Sequence, residues 1–194
     1  MKREKQKSRL QQDLARFGNL RALCLAGVLT AMSIILGKFL QFPNPFQQVI
    51  RISFENLPAI LAGLTMGPFM GASVAVIADL LGCVCYGYTI NPIITLGALC
   101  VGWLAGFSSH YLVRRPLVAR VSVAVALSHL CGSVVVKTFG LAAWYLAKYN
   151  MGLWELMLWR LLTYALIGTA EGVLIYLLLR HRGLTSQLER MLKK

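Results

Sequence analysis

Charged side chains are scarce in this chain of 194 residues, and the seven acidic ones are the scarcest. Asp, Glu, Lys and Arg make up 14% of the sequence, whereas a soluble domain carries about 25%. Long apolar runs stand in their place, each close to the length that crosses a bilayer core of about 30 Å. A soluble core does not explain such runs, because its helices would need polar faces at helical spacing. The composition therefore predicts an integral membrane protein.

Motifs for metal, redox or nucleotide chemistry are also missing. Cys83 and Cys85 lack the two-residue spacer of zinc and redox motifs and have no histidine nearby. Gly132, Lys137 and Thr138 resemble part of a phosphate-binding loop, but Val136 occupies the position of the glycine immediately before the lysine, and the segment lies inside a predicted helix. We therefore expect no metal, no cofactor and no ATPase activity in this chain. Any energy from ATP must come from partner chains.

Basic residues give the chain a formal net charge of +13. A nucleic-acid-binding surface would gather them in one patch. Instead they flank the apolar runs at alternate ends, which is the positive-inside pattern of membrane proteins. We therefore expect no nucleic-acid partner and both termini in the cytoplasm. The clusters are Lys2, Arg3, Lys5, Lys7, Arg9, Arg16 and Arg21 before the first run, Arg114, Arg115 and Arg120 in one loop, and Arg180, Arg182, Arg190, Lys193 and Lys194 after the last run.

Six apolar runs separated by turn-forming residues predict an all-α bundle of six transmembrane helices. Prolines punctuate the pattern, since Pro68 and Pro92 are well placed to open the third and fourth helices. The predicted organisation is a basic cytoplasmic leader over 1–19, a six-helix membrane domain over 20–180 and a basic cytoplasmic tail over 181–194. The predicted helices cover 20–40, 54–66, 68–86, 92–112, 118–146 and 154–179.

We interpret five ionisable residues as lying within the membrane, where each costs about 2.5–3.5 kcal/mol on insertion scales. One interpretation is ion pairing within the bundle, and the other is a binding site for a polar ligand. The cations outnumber the acids, which favours ligand binding for the cations. The five residues are Lys38, Asp79, Lys137, Arg160 and Glu171.

Helical spacing arranges these residues in two polar and aromatic stripes. Arg160 and Glu171 lie on one face but about 16 Å apart at 1.5 Å per residue, so they cannot pair directly. The stripe of the fifth predicted helix contains His129, Ser133, Lys137, Gly140 and Trp144, and that of the sixth contains Arg160, Tyr164, Gly168 and Glu171.

Counting residues from the helix ends predicts a pocket that opens to the outside. Lys38, Lys137 and Arg160 fall in the outer half without an acid at the same depth, whereas Asp79 and Glu171 fall nearer the middle. Cations near the mouth would hold an anionic ligand, and deeper carboxylates would accept hydrogen bonds from ring N–H groups. Aromatic residues could sandwich a flat ring or form an interfacial belt. They are Phe54, Tyr86, Tyr88, Trp144 and Tyr164.

A series of short motifs runs through the first half of the chain: Arg51-Ile-Ser-Phe-Glu55-Asn-Leu-Pro58, Ala62-Gly63, Met66-Gly67-Pro68, Gly71, Asp79-Leu-Leu-Gly82 and Ile90-Asn-Pro-Ile-Ile-Thr-Leu-Gly97. With Lys137-Thr-Phe-Gly-Leu141 and Arg160, this series resembles the folate-family S components of energy-coupling factor (ECF) transporters. The resemblance implies a six-helix subunit of the bacterial cell membrane that captures a vitamin from outside and is not an enzyme. It also implies partners, namely a transmembrane coupling subunit and two cytoplasmic ATPases.

Folate or a related pterin is the ligand that best fits the predicted charges. Its glutamate carboxylates would face outward to Arg160, supported by Lys137 and Lys38. Its pterin would lie deeper, where Asp79 or Glu171 would accept its N–H donors. Another small vitamin is an alternative, and so is a stand-alone ion-coupled carrier that uses the two acids. The stacking residue would be Trp144 or Tyr164.

Small residues four apart on the first helix allow a second helix to approach closely in lipid. Gly27 and Ala31 form one such pair, and Ala22 and Ala26 form another. In S components a pair of this kind contacts the coupling subunit, so the resemblance implies that role here. Packing within the bundle is the alternative.

An intramembrane serine protease of the rhomboid type is a further alternative. Ser73, preceded by Gly71 and Ala72, is the nearest match to its nucleophile, with His129 as the base. Val74 replaces the glycine that should follow the serine. We therefore expect no catalytic residues.

Overall fold

The computed structural model describes residues 11, 13–14, 16–39, 53–113, 116–142 and 152–192. Within these residues the chain is helical with short connections and contains no strand, which confirms the all-α class. A 3-10 turn, Arg16–Gly18, precedes the first long helix. The helices are α1 Leu20–Phe39, α2 Leu57–Met66, α3 Pro68–Tyr86, α4 Pro92–Leu112, α5 Leu117–Ala142, α6 Leu153–Arg180 and α7 Arg182–Leu192.

Prolines and glycines set several helix boundaries, as the sequence predicted. α3 begins at Pro68 after Gly67, whose φ of 92° is rare for residues with a side chain. Gly87 ends α3 in the left-handed conformation, with a φ of 69°. Asn91 caps α4 by accepting a hydrogen bond from a backbone N–H at 3.0 Å. Because these signals are local, α1, α3, α4 and α6 agree with their predicted bounds to within one residue.

Two stretches of wider helix were not foreseen. α5 contains a π-helical segment, Ser128–Val136, and α4 ends in a shorter one, Ser108–Leu112. Single π turns within α-helices are frequent at functional sites. The last predicted residues of the fifth helix, including Trp144, lie outside the described part of the chain. The basic tail contains the additional helix α7.

Within the described ranges, five helices are long and apolar enough to cross a membrane, namely α1, α3, α4, α5 and α6. The second predicted span is shorter than expected. α2 has 10 residues, which is about 15 Å at 1.5 Å per residue and half of a bilayer core. Nine of its residues are buried. α2 therefore lies among the other helices as a short central element.

Contacts between the helices define two ends of the bundle. At the leader end, the hydroxyl of Tyr111 donates to Asp13 at 3.3 Å, and Asp13 also lies against Gly67 in the turn between α2 and α3. At the far end, the side chain of Asn91 donates to the backbone oxygen of Gly140 at 2.8 Å. Successive helices from α1 to α6 therefore alternate in direction, and α7 returns to contact α1.

Glycines allow α2, α3 and α4 to pack with their backbones in contact. A Cβ placed on Gly71 of α3 would lie 2.6 Å from the backbone oxygen of Gly102 and 2.6 Å from the Cα of Gly63. Membrane helices associate through such close packing, because lipid tails provide no hydrophobic drive between them. The arrangement fixes α3 and α4, which carry Asp79 and Thr95, against each other and against α2.

Candidate ligand-binding site

The far end of the bundle gathers polar side chains from several helices, among them Lys137 of α5. Lys137 is 6% exposed. Its ammonium lies 3.5 Å from the carboxylate of Glu55, which precedes α2 and is partly exposed. The backbone oxygen of Glu55 accepts a hydrogen bond from Ser33 of α1. Lys137 therefore has an ion-pair partner inside the bundle, which is one of the two interpretations that the sequence left open.

Asp79 lies closer to the far end than residue counting predicted. Its carboxylate accepts a hydrogen bond at 2.7 Å from Thr95, at the start of α4. Glu55, whose carboxylate lies 3.5 Å from the Lys137 ammonium, is a second acid at this end. The expectation that the outer cations have no acid at their depth is therefore wrong, because the start of α4 and the residues before α2 both reach this end. We call the following residues the polar layer: Lys38, Glu55, Asp79, Lys137 and Arg160.

Arg160 of α6 is buried, but part of its hydrogen-bonding capacity is unused. Its Nη2 donates to the backbone oxygen of Ser133 at 2.8 Å, and its Cζ lies 5.3 Å from the ring centroid of Tyr164. Its Nε has no hydrogen-bond partner among the described residues. A guanidinium presents five N–H donors in a planar fork that matches a carboxylate. Arg160 can therefore bind an anion while it keeps its contact with Ser133.

Lys38 completes the cations of the polar layer from the end of α1. Its ammonium lies 5.3 Å from the ring centroid of Tyr86. The Tyr86 hydroxyl donates to the backbone oxygen of Ile34, which ties α3 to α1. Within the polar layer, three cations face two carboxylates. The layer is therefore positive overall and suits an anionic ligand better than a cation.

Glu171 lies deeper and pairs with a histidine. Its Oε2 is 2.7 Å from His129 Nε2, and the residue is fully buried. Its Oε1 has no partner within the described ranges. Arg160 and Glu171 are thus held by different partners, and no ion pair between them is observed among the described residues. Glu171 is an internally paired residue in the observed arrangement.

Sequence reasoning missed the partners of these charges. Glu55 and Thr95 were not selected, because Glu55 lies at the very start of the predicted second helix and Thr95 carries no charge. His129 and Ser133 were placed in the α5 stripe but were given no partner. Their polar side chains could have indicated the pairing. A carboxylate within the membrane, such as Glu171, requires a hydrogen-bond donor from a neighbouring helix. Trp144 lies outside the described residues.

The two pairs of small residues on α1 occupy different faces. Ala22 is fully buried, and Ala26 packs against the core of the bundle. Gly27 and Ala31 are exposed, and no atom of another described helix would come within 4 Å of a Cβ on Gly27. Of these two pairs, Gly27 and Ala31 are the pair that is open to another helix.

The fold and these contacts define a class of protein. Several helices of spanning length surround a short buried one, and buried polar side chains converge at one end. This arrangement is typical of multi-pass membrane proteins that bind a small polar molecule within a bundle.

The chain belongs to the family described as "ECF transporter, substrate-specific component", whose model matches residues 21–180. It is therefore a substrate-binding subunit of a membrane transporter, which excludes the protease alternative. A solved structure titled "Crystal structure of FolT bound with folic acid" has the same fold, with a TM-score of 0.64 and 22% sequence identity. The match covers 81% of this chain and 90% of that one. No curated protein matches the chain.

Proposed function

We propose that this subunit captures folate or a closely related pterin from outside the cell. The observation that carries the proposal is Arg160, a buried guanidinium with an unpartnered Nε beside an aromatic ring in a net positive layer. The structural neighbour supports the choice of ligand, since its title states that it was bound with folic acid.

The ligand would lie with its glutamate carboxylates toward the far end. Arg160 is the first choice for a carboxylate, because Lys137 already shares its charge with Glu55. Lys38 would add a second, exposed cation. The pterin would lie deeper, with Asp79 or Glu171 accepting its N–H donors. Tyr164, or Trp144, would stack on its face.

Replacing Arg160 tests both the site and the ligand. We expect Arg160→Ala to weaken folate binding by about 2–5 kcal/mol, the usual loss for a buried charge pair. Isothermal titration of the purified protein in detergent measures this change. Arg180→Ala is a matched control, because Arg180 makes a similar contact with Tyr176, at 5.9 Å, near the leader end. It should leave the affinity unchanged.

The two ways for this experiment to fail have different meanings. If Arg160→Ala binds folate as tightly as the wild type, the proposed site is wrong. If the wild type does not bind folate, the ligand is wrong, and the membership of the ECF family is unaffected.

Delivery of the vitamin requires partners, and we propose a transmembrane coupling subunit driven by two cytoplasmic ATPases. Docking would use the open face of Gly27 and Ala31, where the absence of bulky side chains permits close helix contact. Ala22 and Ala26 would contribute to the packing of α1 against its own bundle.

For the topology, we propose six passes with both termini in the cytoplasm, with α2 and the residues before it as the short second pass. The basic leader and tail support this orientation. The three predicted units, 1–19, 20–180 and 181–194, belong to the same proposal. In a cysteine-free background, a membrane-impermeant thiol reagent should label Thr89→Cys in intact cells, and Ser186→Cys only after lysis. Labelling of Ser186→Cys in intact cells would contradict the proposal.

A further inference from the structure

A buried cluster beneath Arg160 connects α5 and α6 and includes the pair that the ligand model leaves without a fixed role. His129 Nε2 bonds to Glu171 at 2.7 Å, and its Nδ1 lies 3.4 Å from the hydroxyl of Ser133. The His129 ring also stacks on Tyr164, with centroids 5.2 Å apart and planes inclined by 25°. One imidazole therefore contacts three side chains, and two of these residues hold Arg160.

Arg160 depends on the same two residues. Its guanidinium donates to the backbone oxygen of Ser133 and lies over the ring of Tyr164. His129 thus touches both supports of Arg160, namely Ser133 and Tyr164. Glu171, fully buried, in turn holds the imidazole ring.

We propose that His129 and Glu171 are positioning residues for ligand capture, which fix the orientation of the Arg160 guanidinium through Ser133 and Tyr164. The inference rests on the proposed function only in taking Arg160 as the anion-binding group. A neutral imidazole that donates from Nε2 to the carboxylate accepts at Nδ1, which matches the Ser133 hydroxyl as donor. Each contact of the ring thereby has a consistent direction.

The position of the cluster explains why the Arg160 guanidinium needs residues that fix its orientation. Ser133 lies in the π-helical segment Ser128–Val136, where the wider turn makes the backbone less regular than in an α-helix. Gly168 of α6 leaves room for the imidazole, because a Cβ there would lie 3.2 Å from the ring of His129. The cluster therefore ties the π segment to α6 at the level where Arg160 needs its acceptor.

A double-mutant cycle tests the inference. His129→Leu removes the hydrogen bonds and the stacking, and Arg160→Lys keeps a charge but removes the planar fork that uses Ser133 and Tyr164. We expect His129→Leu to weaken folate binding about tenfold in the wild type, a coupling typical of neighbours in one network. In the Arg160→Lys background, His129→Leu should weaken folate binding little further. Glu171→Gln should also weaken folate binding, but by less than His129→Leu.

Ser128→Ala is the matched control, since Ser128 is a buried residue of the same helix whose hydroxyl donates to Val101 at 2.9 Å. It removes one buried hydrogen bond without touching the cluster and should leave folate affinity unchanged. The inference is wrong if His129→Leu weakens folate binding equally in the wild type and in Arg160→Lys. It is also wrong if Ser128→Ala weakens folate binding as much as His129→Leu does. In either case His129 and Glu171 have only a structural role.

A ligand-free measurement separates this inference from the choice of folate. Phenylglyoxal modifies exposed guanidinium groups, and peptide mapping reports the reaction at Arg160 alone. We expect modification of Arg160 to be several-fold faster in His129→Leu than in the wild type or Ser128→Ala. Equal rates in all three would overturn the inference. Failure of the wild type to bind folate would instead overturn the ligand and leave this result valid.

Discussion

Replacing Gly102 by alanine should destabilise the bundle, although alanine is normally the better residue in a helix. A Cβ on Gly102 would overlap the backbone oxygen and carbon of Gly71 on α3. These atoms belong to a packed helix, so α3 and α4 must separate. Overpacking costs about 1–3 kcal/mol, and steric overlap with backbone places this case near the upper limit. Replacing a helical glycine by alanine returns about 1 kcal/mol, so the net loss is about 2 kcal/mol.

Gly172→Ala is the matched control on α6, because no atom of another described helix lies within 4 Å of the added Cβ. It should stabilise the protein by up to about 1 kcal/mol through helix propensity alone. Thermal unfolding in detergent, followed by the loss of the monomer peak in size-exclusion chromatography, orders the variants. Gly102→Ala should melt below the wild type and Gly172→Ala at or above it. Equal midpoints for the two variants would refute the close packing of α3 against α4.

Two further predictions concern the ion pair and the docking face. Glu55→Gln should lower the melting temperature more than Lys137→Met, because it leaves a buried ammonium unpaired, at a cost of up to about 3 kcal/mol, whereas the carboxylate left by the second change is partly exposed. The reverse order would contradict the pairing. Gly27→Leu should reduce co-purification of the coupling subunit but leave folate affinity unchanged, with Gly172→Leu as a control for a bulky residue on another open surface. Unchanged co-purification would exclude this face of α1.

Local sequence signals were sufficient for the class of protein and for most helix boundaries. The length of an apolar run reports the thickness of the bilayer that it crosses. Proline and glycine act on the backbone of their own residue and its neighbours, so the ends of α3 at Pro68 and Gly87 follow without tertiary information. The assignment of the second span was less successful. The predicted second helix begins at Phe54, whereas α2 begins at Leu57, after Asn56 at its N-cap and with Pro58 in its first turn.

The partners of the intramembrane charges were decided by the tertiary structure. Counting residues gives a depth along one helix, but it gives neither the offset between helices nor their rotation. Asp79 was placed nearer the middle of the membrane, whereas its partner Thr95 lies near the start of α4. Glu55 was not considered, because it lies at the start of the predicted second helix and belongs to neither polar stripe, although it is the residue that pairs with Lys137.

The same distinction applies to α1 and to the buried pair. From sequence, Ala22 and Gly27 both belong to small-residue pairs, and only the packing of α1 shows that Ala22 is buried and Gly27 is exposed. His129 and Glu171 are 42 positions apart in the chain, and no helical periodicity relates residues on different helices. Composition and local backbone preferences therefore determined that the chain forms a membrane bundle of helices, whereas the rotation and offset of those helices determined which charges meet within it.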